Sequence, residues 1–434
     1  MSTNEAKHHP LDPTSTQTLA ERGLEYRAID TSDVRVFAAF AQSEARGFLE
    51  AEQSPERTRE FVDAVAYRRL TGVYDPASAA PDSPVGTIDS WVAQLSLPGR
   101  RTTPMWAISG VTVAATHRRR GIARAMLEGE LRAAVSAGLP LAGLTATEAT
   151  IYGRFGFAPA AFATHWSIDV HRVRWAGPAT TGRLDFVDRP RAADELAALH
   201  ERVRLHHPGQ IDAWPGRWRE LTGTAGGAEG GQKIRAVRSA NADGVTEGVA
   251  LYRLVEDSRD YSRHTLELIC MITATRAAYA TLWRFVLEHD LVSRVEAPLW
   301  AIDEPVRWMI ADQRAATVTT LDHEWLRVLD VPAVLTARAY AAPVAVVIEV
   351  SDEFGFAAGR WRLETDAAGH AEVTATAAEP DVVLPVSSLS SLVLGGVRAA
   401  TLRDAGRLHA ERHVASMIDA AFVAPDVPYL AIWY

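Results

Sequence analysis

The sequence predicts an α+β protein with mixed sheets, divided into about three domains. Three observations carry this. At 434 residues the chain is too long for a single core at roughly 150 residues per domain. The apolar pattern runs strand, two helices, antiparallel strands, helix, strand, helix, strand, an order that is mixed rather than doubly wound. That order then restarts near His165.

Taken in order, residues 1–20 are rich in Ser, Thr and Pro and read as a flexible N-terminal tail. Residues 24–29 form a short strand, 33–50 a helix capped by Thr31 or Ser32, and 55–69 a second helix. Segments 85–97 and 104–113 flank the turn Leu97-Pro98-Gly99 and pair antiparallel. A helix follows at 119–137, a compact apolar strand at 139–146, and a short helix at 149–155 that Gly156 ends. The second unit has a helix at 191–206, a glycine-rich loop at 223–231 containing Glu229, strands at 234–238, 248–255 and 265–273, a helix at 276–290 and a closing strand. In the last third, 326–329, 345–351, 359–364 and 372–376 are strand-like, and helices at 386–392, 401–406 and 411–422 close the chain. The expected domains are 21–164, 165–315 and 316–434.

Composition narrows the function without naming it. Hydrophobic residues at 47% and charged residues at 23% exclude disordered, collagenous and coiled-coil classes. A net charge of −9 disfavours broad capture of nucleic acid or anionic membrane. No apolar run reaches bilayer length, and no signal peptide opens the chain. The single cysteine, Cys270, excludes an intramolecular disulfide framework and fits a reducing compartment, so a cytoplasmic enzyme is expected. His206-His207-Pro208 lacks acidic or thiol partners at ligand spacing and reads as a helix end, so no metal is expected.

The chemistry is concentrated between Val111 and Met126. Val111, Thr112 and Val113 end a β-branched strand, a short loop follows, and a helix begins among Arg118, Arg119, Arg120, Gly121, Ile122, Ala123 and Arg124. Main-chain N–H groups at a helix start have no internal partner and lie at the positive end of the helix dipole, which suits a pyrophosphate. Gly121 and Ala123 keep bulk away from that backbone, and the arginines add charge. Three arginines alone would equally fit a solvated basic helix start. The spacing Arg-x-x-Gly-x-Ala directly after a Val-x-Val strand tips the reading, because it is similar to the phosphate-binding signature of the GCN5-related N-acetyltransferases (GNAT). No Gly-Lys-Ser/Thr and no G-x-G-x-x-G supports another nucleotide class.

Further on, Thr147, Glu148 and Ile151-Tyr152-Gly153-Arg154-Phe155-Gly156-Phe157 resemble the same family's Tyr-x-x-x-Gly-Phe element. Combined with Thr116-His117-Arg118-Arg119-Arg120-Gly121, the pattern resembles the Eis (enhanced intracellular survival) family, and the likeness continues through 326–331, 349–352 and 420–422. The resemblance implies tandem GNAT folds, the second degenerate, a C-terminal sterol-carrier-protein-like domain and a homohexamer. It further implies acetyl-CoA as cosubstrate and aminoglycoside-like amines as acceptors. Tyr152 would be the general acid for the CoA thiolate, and the α-carboxylate of Tyr434 the general base. An apolar tail merely docking would also explain Ile432-Trp433-Tyr434, and the family's terminal Glu-Phe is here Trp433-Tyr434. The amine pocket is expected to draw on Glu44, Arg46, Phe48, Asp89 and Trp91, of which the acidic groups attract a cationic amine and the aromatic rings can stack on it.

In the second copy, the passage Leu268 to Ala280 puts Tyr279 where the phosphate-binding glycine belongs. One cofactor site per chain is therefore expected, with Cys270 as a core residue. Acetylation of lysine on a protein or peptide, or a non-catalytic CoA- or lipid-binding scaffold, are the rival functions.

Overall fold

The computed structural model describes residues 3–226 and 230–434, so Gly227, Ala228 and Glu229 of the glycine-rich loop lie outside the described residues. The chain gathers into two compact units: the residues up to Ala161 with 323–425 and 433–434, and 162–322 with 426–432.

The first unit opens with helices α1 (Thr3–Lys7) and α2 (Pro13–Ala20). Among the described residues, 3–20 are thus largely helical rather than a flexible tail. Asp12 caps α2 by accepting from Ser15 N at 2.7 Å, and Pro13 sits at the helix start where its missing N–H costs nothing. Leu19 is fully buried in the main core with Ile122, Met126 and Leu127. Strand β1 (Glu25–Ala28) and helices α3 (Val34–Gly47) and α4 (Pro55–Val65) follow, and Phe37, Phe40, Val65 and Leu70 form a smaller core between them. Strand β2 (Arg69–Tyr74) is an addition to the expected elements; every one of its residues is buried. Its leading Arg69 reads as a helix end in sequence, but its guanidinium meets the buried Glu130 carboxylate at 2.5 Å.

Strands β3 (Gly86–Leu97) and β4 (Arg101–Val113) pair antiparallel about Pro98-Gly99, as the turn predicts. The helix α5 (Ile122–Ser136) begins three residues later than expected, because Arg119 (φ 62°) and Gly121 (φ 74°) are left-handed and cannot be helical. Strand β5 (Leu141–Thr145), α6 (Ala149–Tyr152) and β6 (Ala158–Asp169) complete this region. Within the unit the strands run β1-β2-β3-β4-β5, and β5 also pairs with the 324–328 end of β12 (Ala316–Val328).

The second unit contains β7 (Arg183–Val187), α7 (Arg189–Val203), α8 (Arg217–Leu221), β8 (Ile234–Ala240), β9 (Thr246–Val255), β10 (His264–Thr273), α9 (Arg276–Leu287), β11 (Val292–Trp300) and α10 (Val306–Met309). Its strands are ordered β6-β11-β10-β9-β8-β7, over a core that includes Trp166, Tyr252, Trp283 and Trp300.

The rest of the first unit is α11 (Val331–Ala337), β13 (Ala345–Ser351), β14 (Gly359–Thr365), β15 (Ala371–Ala375), β16 (Val382–Pro385), α12 (Val386–Leu392), α13 (Ala399–Asp404), β17 (His409–Ala410) and α14 (Arg412–Phe422). These strands form a separate sheet, β15-β14-β13-β16-β17. Among the described residues no helix is long and apolar enough to cross a membrane.

Candidate active site

Two backbone features of the first unit part β4 from β5. Between Thr87 and Asp89 the β3–β4 register shifts, and Gly110 on β4 adopts φ 60°, which marks a bulge. The parallel ladder from β4 to β5 covers only Met105–Ala107 against Leu141–Gly143. Beyond it, β4 from Ile108 to Val113 and the end of β5 carry no ladder to one another, so main-chain groups there are free to meet a ligand.

The loop that leaves β4 leads to the start of α5. Gly121 occupies the cap position with no side-chain cap bond, leaving the first-turn N–H groups open. A Cβ at 121 would fall 1.8 Å from Arg22 Nη1, which donates to Arg120 O at 2.6 Å. The positive φ therefore favours glycine, and any side chain would also have to displace the exposed Arg22 guanidinium. The arginines play different parts. Arg118 and Arg119 are exposed, Arg124 pairs with Glu128 at 3.0 Å, and Arg120 pairs with Asp75 at 2.9 Å. Asp75 also meets His117 Nε2 at 3.1 Å; bonds from Arg120, Ala77 N–H and His117 hold its carboxyl down to about 2. Arg120 and His117 thus brace the loop. Of the other predicted contacts, Val111, Val113 and Ala123 are half-buried, Ile122 is buried so that only its main chain can face the loop, and Thr112 bonds Thr87 at 2.6 Å.

Thr147 and Glu148 are exposed on the turn between β5 and α6. Tyr152 ends α6, buried against Phe157, and burial followed by the Glu148 charge pushes its phenol up to about 12. It stays protonated at neutral pH and able to donate.

Tyr434 lies at the opposite flank of β5. Its N–H donates to Thr145 Oγ1 at 3.2 Å, and that hydroxyl donates to Tyr434 O at 2.5 Å. Its ring meets Trp91 edge-on at 5.5 Å. Trp91 in turn lies under the Arg68 guanidinium at 4.0 Å, and Arg68 Nη1 bonds both Asp89 oxygens at 3.3 Å. Glu44 completes the group: both its carboxylate and that of Asp89 crowd Gly110, at 2.8 and 3.1 Å from the position a Cβ would take. Burial, then the Asp89 charge, pushes Glu44 up to about 8, and burial also raises Asp89. Glu44 Oε2 has no hydrogen-bond partner among the described residues.

Glu44, Asp89, Trp91 and Tyr434 are thus brought together, whereas Arg46 and Phe48 sit at the exposed end of α3. Sequence reasoning missed Arg22, Arg68, Asp75, Thr145 and Glu324. Each acts through a partner distant in sequence, so no local spacing reports it.

In the second unit the helix α9 starts differently. Thr275 takes the cap position and its hydroxyl accepts from Ala278 N at 3.2 Å, satisfying the group that Gly121 leaves open. Tyr279 lies a turn inside α9, not at the cap, and donates to Glu304 at 2.6 Å. Cys270 is half-buried, its thiol pushed up to about 11 by burial.

Comparisons with known proteins identify the family and its domains. Residues 25–160 and 209–328 each match an acetyltransferase (GNAT) domain family, and 331–431 match a sterol carrier protein domain. An uncharacterized N-acetyltransferase of Streptomyces avermitilis is 34% identical over 404 residues, 88% of this chain and 93% of that protein. The N-acetyltransferase Eis of Mycobacterium tuberculosis is 34% identical over 345 residues, 77% of this chain and 82% of Eis. The crystal structure of Eis1 from Mycobacterium abscessus superposes with a TM-score of 0.78 at 27% identity, covering 95% of this chain and all of that one. The architecture is two GNAT domains and a sterol-carrier-like domain, and the protein is an acyltransferase.

Proposed function

Because this chain belongs to the Eis family of GCN5-related N-acetyltransferases, we propose that it transfers an acetyl group from acetyl-CoA to a primary amine of an aminoglycoside-like polyamine. The observation that carries the reading is an open helix cap at Gly121 after the strand β4 that parts from β5, with Tyr152 just past β5 and Tyr434 bonded to Thr145 at the end of β5.

Acetyl-CoA supplies an activated thioester. The open N–H groups after Gly121, with the exposed Arg118 and Arg119, suit its diphosphate. Main-chain groups of β4 near Val113 suit its carbonyl oxygen. As the C–N bond forms and the C–S bond breaks, the Tyr434 α-carboxylate takes the amine proton and Tyr152 gives one to sulfur. Glu44 and Asp89 face a single cation, Arg68, which favours a positively charged acceptor. The side-chain cap at Thr275 favours one cofactor site per chain.

The test is release of free thiol from acetyl-CoA over aminoglycosides, simple polyamines and lysine peptides. Turnover confined to lysine peptides replaces the proposed acceptor, and CoA binding with no thiol release on any amine leaves a scaffold. Tyr152→Phe is expected to keep CoA affinity and lose roughly 10²–10⁴-fold in kcat. Removal of Tyr434 is expected to do the same.

A further inference from the structure

The Tyr434 side chain and the acid beneath it have no part in the chemistry above. Tyr434 Oη donates to Glu324 Oε1 at 2.8 Å. Glu324 is fully buried, and its Oε2 has no hydrogen-bond partner among the described residues. Burial drives its carboxyl well above the usual range, and the phenol's hydrogen bond opposes this only in part. Its strand neighbour Leu326 is core, and a buried acid and phenol could both be replaced by apolar groups of similar shape at little cost to stability. A stability role therefore does not account for the pair.

Register supplies the account. Glu324 on β12 stands directly opposite Thr145 on β5, and residues opposed in an antiparallel ladder point to the same face. The same rung thus holds Tyr434 at both ends: Thr145 grips the main chain, and Glu324 grips the phenol one ring-length away. Trp91 closes one side of the ring, and the preceding Trp433 stacks edge-on against His323 at 4.4 Å. A terminal residue held only by packing could swing about its χ1 bond and shift its carboxylate in step. A hydrogen bond at Oη pins the far end of the ring and opposes that swing.

We propose that the Glu324–Thr145 rung is a two-point clamp that fixes the direction of the Tyr434 α-carboxylate, with Glu324 as a positioning residue for proton removal from the acceptor amine. The proposal rests on the reading of that carboxylate as the base.

The experiment compares kcat, amine KM and CoA affinity in the full chain for Y434F, E324L, E324Q and the E324L/Y434F double variant. Y434F keeps ring and carboxylate but loses the tie. Y434F and E324L are each expected to lower kcat by about tenfold, the rate equivalent of one hydrogen bond, with CoA affinity unchanged. E324Q presents an amide oxygen to the phenol and is expected to recover most of the rate lost in E324L. The double variant is expected to be no slower than either single one, since both break the same contact. Wild-type kcat in Y434F, or losses that multiply in the double variant, overturns the clamp. If E324L fails to fold, Y434F and E324Q still decide. Removal of Tyr434 separates the two levels: full turnover without it defeats the base reading, whereas lost turnover beside an unaffected Y434F defeats only the clamp.

Discussion

Gly121 shows how much one position can carry. Its φ of 74° costs an L-residue about 1–2 kcal/mol, and a methyl group there would collide with the Arg22 guanidinium. Gly121→Ala is expected to weaken CoA binding by at least tenfold while Tm falls by only a few degrees, which calorimetric titration and thermal melting separate. Glu44 carries a different signature. Its carboxyl is raised from 4.5 to about 8 by burial and by Asp89, so the folded state binds more protons than the unfolded state across that interval. Stability must therefore fall as pH rises from 4.5 to 8, the penalty being absent below the window and complete above it. Arg68 and Glu50 are the other charges acting on it. Glu44→Gln is expected to flatten the decline in Tm, and an unchanged slope would show that the group titrates normally. These residues differ in legibility. Gly121 and Tyr152 were visible because a spacing announces them. Arg68, Asp75 and Glu324 were not, because a buried charge is recognisable only once its partner is known. Asp75 meets Arg120 across 45 positions, and Glu324 meets Tyr434 across 110.

At the scale of elements, α2 is the instructive case. Its Ser, Thr and Pro content suggests a tail, yet Asp12-Pro13 is a helix start and Leu19 is the buried residue that makes docking worthwhile. One apolar side chain is too faint a period to detect, so composition misled. Strand β2 was obscured for the opposite reason: Arg69 looks like a solvated helix end unless Glu130, also bonded by Ser90 and Trp106, is known to lie inside. The long elements with a clear period, β3, β4 and α9, were legible. Helix α2 lies against α5, with Ser15 donating to Ala125 O at 2.6 Å and Asp12 pairing with Arg132 at 2.9 Å. Deleting residues 1–20 is expected to cost roughly 1.5–3 kcal/mol for Leu19 alone. Because α5 carries the open cap, CoA affinity should fall with it. Urea denaturation and titration of the shortened chain check both, and unchanged values in each would return the segment to the status of a tail.

At the scale of the whole chain, the resemblance gave the three kinds of domain, but it could not say how the sterol-carrier-like part serves the chemistry. Within the first unit the answer runs through one buried ion pair. Arg327, on β12, is fully buried; its Nη2 donates to Asp352 at 2.7 Å and its Nε to Phe155 O at 2.9 Å. Asp352 begins the loop after β13, whose Phe354 stacks on Phe155 at 6.3 Å. Gly156, at φ 86°, has no room for a Cβ because Arg327 Nε would be 2.5 Å away. The turn that follows Tyr152 is thus held from the carrier-like domain. Asp352→Ala leaves a guanidinium buried without its counter-charge, and removing one partner of such a pair costs about 3–5 kcal/mol. The loss should be felt at Tyr152 before it is felt at Gly121, since Arg327 bonds Phe155 O in the turn that directly follows α6. The expected outcome is a lowered Tm together with a lower kcat and an unchanged affinity for CoA. A variant that loses stability while kcat holds would show the ion pair to be a fastener between domains and nothing more.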